Sequence, residues 1–308
     1  MEEVADGVVR VTFDLPLGID HVHCYFLRAS SGAWTLVDTG LGSRDPEARW
    51  RPVLDELDAP VERIVVTHMH PDHVGGARDV AELTGAPVLQ GREDYAQCVS
   101  AWGAERSLPR LAGWWEAHGL PPGLAEGMRQ EADNLGRAVH WVADPELLDD
   151  DDTVDGWRVQ VLRGHADGHI VLRRGDVMIA GDTVLGGITP AIGQYPNSRP
   201  DPLGDYLETL DKIEAMELSL ALTGHKHRLR DPSARAREIR AHHHDRLDAA
   251  AAALGDEPRS AYEVSLELFE ADLSPVLRRF ALAETLAHLE RLVVTDRAAR
   301  SDGGYVSR

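Results

Sequence analysis

Four potential metal ligands lie within six consecutive residues of the chain, and this cluster constrains the fold more than any other feature. The string Thr67-His68-Met69-His70-Pro71-Asp72-His73 directly follows the apolar run Ile64-Val65-Val66, which is typical of a buried strand. Within a strand, neighbouring side chains would point to opposite faces, whereas a loop can bring them together. The pattern therefore predicts a strand that ends in a loop carrying imidazole and carboxylate groups, which suit zinc, iron or manganese.

Three later segments each place another candidate ligand just after an apolar strand pattern. Each candidate is preceded by a glycine, which permits a tight turn at a strand end. Because α/β proteins usually build their sites where strands end at one rim, these side chains are expected to join the first cluster. The three candidates are His165, Asp182 and His225.

The first 230 residues alternate strand and helix patterns, which favours an α/β layered fold. A helix is predicted over about residues 74–83, after the histidine-rich loop. Residues 92 to about 137 lack strand patterns and are interpreted as a helical insertion containing Trp102, Trp114 and Trp115. These tryptophans are expected to pack the insertion onto the body, with a substrate lid as the alternative.

The remainder, residues 231–308, no longer alternates strand and helix patterns and is called the tail below. Three helices are predicted there, with starts at Asp231, Ser260 and Ser274, and the second start is a capping box with Glu263. A hairpin is predicted next, with strands at 292–297 and 305–307. Three helices and a hairpin predict a small winged-helix-like domain.

Taken together, the motifs resemble the metallo-β-lactamase superfamily. The histidine-rich string is similar to the HxHxDH signature of that superfamily, and the other motifs occur in the expected order. The resemblance covers about residues 8–230 and implies a four-layer αββα fold for a catalytic domain at 1–230. The tail resembles, on pattern alone, the winged-helix-like domain that follows the catalytic domain in a glyoxalase II-like group. The other motifs are Val37-Asp38-Thr39-Gly40, Gly164-His165, Ala180-Gly181-Asp182 and Thr223-Gly224-His225.

The resemblance also implies a set of ligands for two divalent metal ions. His68, His70 and His165 would bind the first ion. Asp72, His73 and His225 would bind the second, and Asp182 would bridge the two. Zinc is the expected ion, with iron or manganese as alternatives. A hydroxide between the two metals would attack the substrate, and Asp72 would orient it.

Other polar residues near these motifs are given supporting roles. Asp38 is expected to orient a ligand histidine, with a turn cap as the alternative. His169 resembles the second histidine of a GHxxGH pattern and is expected to shape the site without binding metal. His227 could face substrate or solvent, and both remain open. His242, His243 and His244 are adjacent on a predicted helix and so cannot all converge; structural or interfacial roles are expected.

Composition limits the kinds of partner. The formal charge is −20, which disfavours nucleic acid because its binding depends on cationic side chains. No apolar run is long enough to span a membrane, and the N-terminus lacks an apolar signal core, so a cytoplasmic protein is expected. Two cysteines, Cys24 and Cys98, do not make a disulfide framework.

These observations predict a binuclear metallo-hydrolase acting on a small thioester, ester or lactone. One alternative is a metal-dependent endoribonuclease or phosphodiesterase. Another is a nucleic-acid-binding regulator acting through the tail, but residues 236–308 carry ten Arg, no Lys and thirteen Asp plus Glu, a net charge of −3. A DNA reader normally presents a basic face. The tail is therefore interpreted as a packing, lid or dimer element, and a homodimer stays open.

Overall fold

The computed structural model describes residues 1–16, 18–103, 108–270 and 272–308. In this part of the chain, two β-sheets lie face to face and helices cover their outer faces, which is the four-layer αββα arrangement expected from the resemblance. Leu17, residues 104–107 of the predicted helical insertion and Ala271 of the tail lie outside the described residues.

The first sheet brings the amino-terminal motifs to one edge. Its strands lie in chain order, antiparallel from β1 to β4 and parallel from β4 to β7. Val37 pairs with Val65 in the parallel β4–β5 ladder, so the segments that follow these strands leave the sheet side by side. Among the described residues, the strands are β1 (Glu2–Ala5), β2 (Val8–Asp14), β3 (His21–Arg28), β4 (Trp34–Val37), β5 (Val61–Val66), β6 (Val88–Gly91) and β7 (Glu146–Leu148).

The second sheet packs its inner face against the first. Tyr25 and Val65 from the first sheet share one buried cluster with Trp157 and Leu172 from the second. The strand order is β12-β11-β10-β9-β8, and only the β11–β12 pairing is parallel among the described strands of this sheet. The strands are β8 (Thr153–Val154), β9 (Trp157–Val161), β10 (Ile170–Arg174), β11 (Val177–Gly181) and β12 (Leu220–Thr223).

Helices pack on the two outer faces. Trp50 and Val80 contribute helical side chains to the buried cluster over the first sheet, whereas Tyr206, Ile239 and Leu286 do so over the second. No helix among the described residues is long and apolar enough to cross a membrane. The helices are α1 (Pro46–Leu54), α2 (Pro71–Val74), α3 (Ala77–Thr84), α4 (Arg92–Trp102), α5 (Leu108–Ala117), α6 (Pro122–Gly136), α7 (Pro202–Ala215), α8 (Pro232–Ala252), α9 (Ala261–Leu268) and α10 (Pro275–Val294).

The helix predicted over about 74–83 is present as α3 but begins later than expected, because Gly75 and Gly76 separate it from the short α2. A Cβ on Gly75 would lie 2.1 Å from the carbonyl oxygen of Pro71, and a Cβ on Gly76 would lie 2.6 Å from that of Thr39. This close backbone approach seats the histidine-rich loop against the segment after β4.

The tail contains the three predicted helices, each starting at its predicted cap, and the Ser260–Glu263 capping box is present. The strand predicted over 292–297 is wrong, because α10 continues to Val294 and buries Leu292 on its inner face. The hairpin instead consists of β13 (Ala298–Ser301) and β14 (Gly304–Ser307). The winged-helix-like character and the division at residue 230 remain predictions.

Candidate metal centre

The ends of strands from both sheets meet at one rim, where backbone hydrogen bonds join the two sheets. The amide of His23 donates to the carbonyl of Gly224 at 2.7 Å, and that of Ile170 donates to the carbonyl of Thr67 at 2.9 Å. These bonds fix the loop after β5 beside the turns that follow the strands of the second sheet. All seven side chains that the sequence suggested as ligands lie at this rim.

Three histidine nitrogens form the first group of candidate ligand atoms. Nε2 of His68 lies 3.0 Å from Nδ1 of His70, which lies 2.9 Å from Nε2 of His165. Nitrogens bound about 2.1 Å from one tetrahedral zinc ion would lie somewhat over 3 Å apart, so the spacing is close to that of a three-histidine site. The three rings come from two loops that approach from opposite sheets.

A second group of candidate ligand atoms lies beside the first. Nε2 of His225 lies 3.2 Å from Oδ2 of Asp72, and Nε2 of His73 lies 4.0 Å from the same oxygen. Asp182 lies between the groups: its Oδ2 is 3.1 Å from Nε2 of His225 and 3.6 Å from Nε2 of His165, and its Oδ1 is 3.5 Å from Nε2 of His73. Its carboxylate therefore faces both groups.

Several of these atoms are buried without a hydrogen-bond partner, which is costly unless a cation is bound there. They are Nε2 of His73, Oδ1 of Asp182 and Nε2 of His225. The backbone leaves them little extra room, because a Cβ on Gly224 would lie 2.3 Å from Oδ1 of Asp182. Orphaned nitrogen and carboxylate oxygen atoms of this kind fit a divalent metal ion.

Asp38 fixes the orientation of two candidate ligands. Its Oδ2 accepts a hydrogen bond from Nδ1 of His73 at 2.7 Å, and its carboxylate also accepts from the backbone amide and hydroxyl of Thr67. The Thr67 hydroxyl in turn accepts from Nδ1 of His68 at 3.0 Å. Both rings therefore present an unprotonated Nε2 to the site when a metal is bound, as expected for a ligand histidine whose second nitrogen donates outward.

Backbone carbonyls orient two further candidate ligands. Nδ1 of His165 donates to the carbonyl of Ala191 at 2.9 Å, and Nδ1 of His225 donates to that of His21 at 2.6 Å. The His21 ring also accepts from the amide of Lys226 at 3.0 Å. Sequence reasoning missed these supports because backbone carbonyls are present at every position and leave no residue signature.

His169 supports the site without facing it. Its Nε2 accepts from the backbone amide of Asp182 at 3.1 Å, and its Nδ1 donates to the Thr183 hydroxyl at 3.1 Å. The ring stacks on that of His68, with centroids 4.5 Å apart. Both ring nitrogens are thus used within the protein, and a role of His169 in shaping the site stays a prediction.

The buried charges divide the site into two electrostatic halves. Burial and neighbouring imidazoles hold the pKa of His68 well below its usual range, and burial and His165 lower that of His70 to about 3. Burial would also lower the pKa of His225, but the carboxylates of Asp182 and Asp72 outweigh it and raise that pKa to about 10. The carboxylate-rich half therefore requires positive charge, which a cation would supply by displacing protons.

Two residues outside the motifs also contact the histidine-rich loop. Buried Asp94 accepts from the amide of Met69 at 2.9 Å and from Nε2 of Gln90 at 2.6 Å. Trp102 donates through Nε1 to the carbonyl of Met69 at 2.8 Å. Sequence reasoning missed Asp94 and assigned Trp102 to packing or to a substrate lid but not to this loop, because neither residue lies in a recognisable motif.

The remaining histidines lie outside the candidate ligand groups. The ring of His227 packs against Gly186 and Gly187, where a Cβ on Gly186 would lie 2.7 Å from Nε2. His243 is buried beside His288, with Nδ1 of the former 3.2 Å from Nε2 of the latter, whereas its neighbour His244 is exposed. The three adjacent histidines of α8 therefore do not converge, as the helical geometry predicted.

Comparison with known proteins agrees with this geometry. The sequence model of the Metallo-beta-lactamase superfamily matches residues 17–225. The chain belongs to this superfamily. A second model, described as Metallo-beta-lactamase-like, C-terminal domain, matches residues 247–307.

Relatives within the metallo-β-lactamase superfamily extend the match over most of the chain. A metallo-beta-lactamase family protein from Thermus thermophilus is 32% identical, with a TM-score of 0.87 over 99% of this chain and 100% of that chain. The probable metallo-hydrolase YqjP of Bacillus subtilis is 24% identical over 93% of this chain and 92% of its own length. A hydroxyacylglutathione hydrolase of Acidiphilium cryptum is 27% identical over 73% of this chain and 79% of its own length.

Proposed function

We propose that the protein is a binuclear metallo-hydrolase that cleaves a small thioester, ester or lactone. The observation that carries this proposal is the convergence of seven candidate ligand side chains in overlapping groups. Within each group, the ligand atoms lie within 4.8 Å of one another. The groups are His68, His70 and His165; His68, His73 and Asp182; and Asp72, His73 and His225.

The division of labour follows from the two halves of the site. The three neutral imidazoles of His68, His70 and His165 would hold the first ion. Asp72, His73 and His225 would hold the second, with Asp182 shared because its carboxylate faces both groups. Zinc, iron and manganese all accept this mixture of imidazole and carboxylate, and zinc is the ion we propose first.

When bound, two such cations supply a hydroxide from water at neutral pH and polarise the oxygen of the scissile group. The chain's own contribution begins with Asp72, whose side chain is 14% exposed and so reaches the open side of the site. Burial would raise the pKa of Asp72, but His73 and His225 outweigh it and lower that pKa to about 2. An ionised carboxylate at this position can orient the attacking water by accepting its hydrogen bond.

The charges next to the ligand turns favour a carbonyl substrate over a phosphodiester. Lys226, which follows His225, pairs with Asp20 at 3.0 Å, and Arg163, which precedes the His165 turn, pairs with Glu93. Cations that are already paired offer little to a phosphate backbone, whose binding depends on Lys and Arg. The relative named hydroxyacylglutathione hydrolase supports an acyl substrate. An endoribonuclease or phosphodiesterase is the alternative.

A substrate panel on metal-reconstituted protein tests this proposal. Thioesters, esters, lactones, β-lactams, phosphodiesters and single-stranded RNA would be offered to protein loaded separately with zinc, iron(II) or manganese. We expect hydrolysis of a thioester, ester or lactone to exceed RNA cleavage, and His225→Ala to abolish it. Efficient RNA cleavage that His225→Ala suppresses, without carbonyl hydrolysis, would favour the nuclease. Full carbonyl hydrolysis by His225→Ala would contradict the assigned site.

A further inference from the structure

Arg235, on α8 in the tail, binds the backbone of the loop over residues 185–201. Its Nε donates to the carbonyl of Leu185 at 2.8 Å, and its Nη2 donates to that of Ile188 at 2.8 Å. The guanidinium is rigid and planar, so two carbonyls bound to it are held at a fixed separation. Its side chain is 19% exposed, which places both hydrogen bonds largely away from water.

The backbone held by Arg235 contacts the turns that carry candidate ligands. Gly186, between the two bound carbonyls, forms isolated β-bridges with Lys226 and His227, directly after His225. Farther along the same loop, the carbonyl of Ala191 accepts the hydrogen bond from Nδ1 of His165. One loop therefore supports a histidine from each of the two proposed metal sites.

The tail also holds the middle and the end of this loop. The amide of Gln194 donates to the carbonyl of Ala283 on α10 at 3.0 Å. Nη1 of Arg291, also on α10, binds Oδ2 of Asp201 at 2.7 Å, and Asp201 caps the start of α7. The loop is thus attached to the tail along its length. Among the described contacts, Arg235 is the tail residue that hydrogen-bonds the segment around Gly186, which contacts the His225 turn.

An ion pair with Glu238 does not explain the position of Arg235. Nη1 lies 2.9 Å from Oε2 of Glu238, but that carboxylate is 65% exposed, and an exposed pair of this kind contributes little. The guanidinium is instead turned toward the two loop carbonyls. Arg235 lies between the two segments that match the superfamily models, which end at residue 225 and begin at residue 247.

We propose that Arg235 is a positioning residue for the metal centre, acting through the 185–201 loop on His165 and on the turn that carries His225. The inference rests on the proposed function, because it requires those histidines to be metal ligands. It gives the tail a definite role, since α8 sets the separation of two carbonyls and thereby the placement of ligands that it does not touch.

The test compares metal binding by three variants of the full chain. Arg235→Met removes both loop hydrogen bonds. Arg235→Lys keeps the positive charge but lacks the planar guanidinium that donates to both carbonyls. Arg240→Met is the matched control, because Arg240 lies on the same helix with similar exposure but pairs with Asp211 and Glu214 and not with the loop. Zinc content and zinc dissociation constants, measured by chelator competition, are the readouts, and no substrate is needed.

We expect Arg235→Met to bind zinc about 10-fold more weakly than the wild type, in the range seen when partners of metal ligands are lost. Arg235→Lys should recover only part of this loss, and Arg240→Met should match the wild type. Equal zinc affinities for all four proteins would overturn the inference while leaving the proposed function intact. If Arg235→Met does not fold, wild-type affinity in Arg235→Lys would overturn it equally. A wild type that binds no divalent ion would instead overturn the proposed function, and this inference with it.

Discussion

Asp38 accepts a hydrogen bond at 2.7 Å from Nδ1 of His73, and this leaves Nε2 as the ring nitrogen directed toward Asp182. The same carboxylate binds Thr67, whose hydroxyl accepts from Nδ1 of His68. One buried acid therefore orients a candidate ligand in each half of the centre. It does so from the left-handed backbone region, with a φ of 61°, which Asp tolerates better than most residues.

Replacing Asp38 with Ala should weaken metal binding by about 10- to 100-fold, because both rings lose the partner that fixes their tautomer and orientation. Asp79→Ala is a matched control: Asp79 also binds a histidine, His140, at 2.8 Å, but away from the centre. Chelator competition on both variants measures the effect. Equal losses of metal affinity in the two variants would show that removing any buried Asp–His pair is enough to weaken metal binding, and would contradict the specific role of Asp38.

Two metal ions per chain are expected at full loading, since both groups of candidate ligands are complete. Elemental analysis of protein purified without chelator and then supplemented with zinc, iron or manganese should approach a ratio of two. His73→Ala should reduce that ratio to about one, since the three-histidine group stays intact. A wild-type plateau at one ion would contradict the binuclear centre.

Asp72→Ala should lower turnover of the best carbonyl substrate by at least about 100-fold, which is the size of effect expected from loss of a group that handles the reacting water. Metal content must be measured alongside, because the variant also loses a candidate ligand. Asp20→Ala removes an exposed carboxylate beside the His225 turn and should leave turnover nearly unchanged. Near-normal turnover in Asp72→Ala would refute the role assigned to Asp72.

Gly224→Ala should disrupt the second group of ligands. The added Cβ would lie 2.3 Å from Oδ1 of Asp182 and 2.7 Å from Cε1 of His73, so at least one of them must move. We expect metal affinity to fall by more than about 10-fold. Gly123→Ala is the control, because nothing lies within 4 Å of a Cβ there. Unchanged zinc affinity in Gly224→Ala would mean that the centre tolerates displacement of Asp182.

Glu284 is expected to make stability depend on pH. Burial raises the pKa of its carboxyl to about 7 despite the opposing charge of Arg246, whereas the ordinary value is 4.5. The folded chain therefore holds this proton more tightly than the unfolded chain, and the free energy of unfolding falls as pH rises from about 4.5 to 7. The loss is at most about 3 kcal/mol.

Glu284→Gln cannot ionise and should lack this loss, so the variant should be more stable than the wild type above pH 7. Urea unfolding of metal-free protein at pH 5 and pH 8 measures the difference. Glu257→Gln, at an exposed position, controls for removal of a negative charge. If both variants show the same pH dependence as the wild type, the burial of Glu284 has no energetic consequence.

The local sequence determined the chemistry of the centre and the strand that delivers it. A loop with His68, His70, Asp72 and His73 after an apolar run has few uses other than metal binding, and the caps at Asp231, Ser260 and Ser274 specify helix starts through hydrogen bonds within four residues. Such signals depend on neighbours in sequence and can be read without knowing the fold.

The bounds of helices and strands could be predicted less well from the sequence where tertiary packing decides them. The helix predicted over about 74–83 begins only at Ala77, because Gly75 and Gly76 disfavour helix locally and Gly76 lies close to the carbonyl of Thr39, a contact that only the fold reveals. Likewise, residues 292–294 suit a strand as well as a helix, and the need to bury Leu292 on the inner face of α10 decides between them.

Only the tertiary structure decided what surrounds the candidate ligands. The carbonyls of Ala191 and His21 orient His165 and His225 across separations of 26 and 204 residues, and Arg235 reaches Leu185 from 50 residues away. A backbone carbonyl is chemically the same at every position, so its partner is set by where the chain folds and not by which residue carries it. The sequence by itself therefore determined which groups can bind metal, whereas the fold decided which backbone atoms hold them in place.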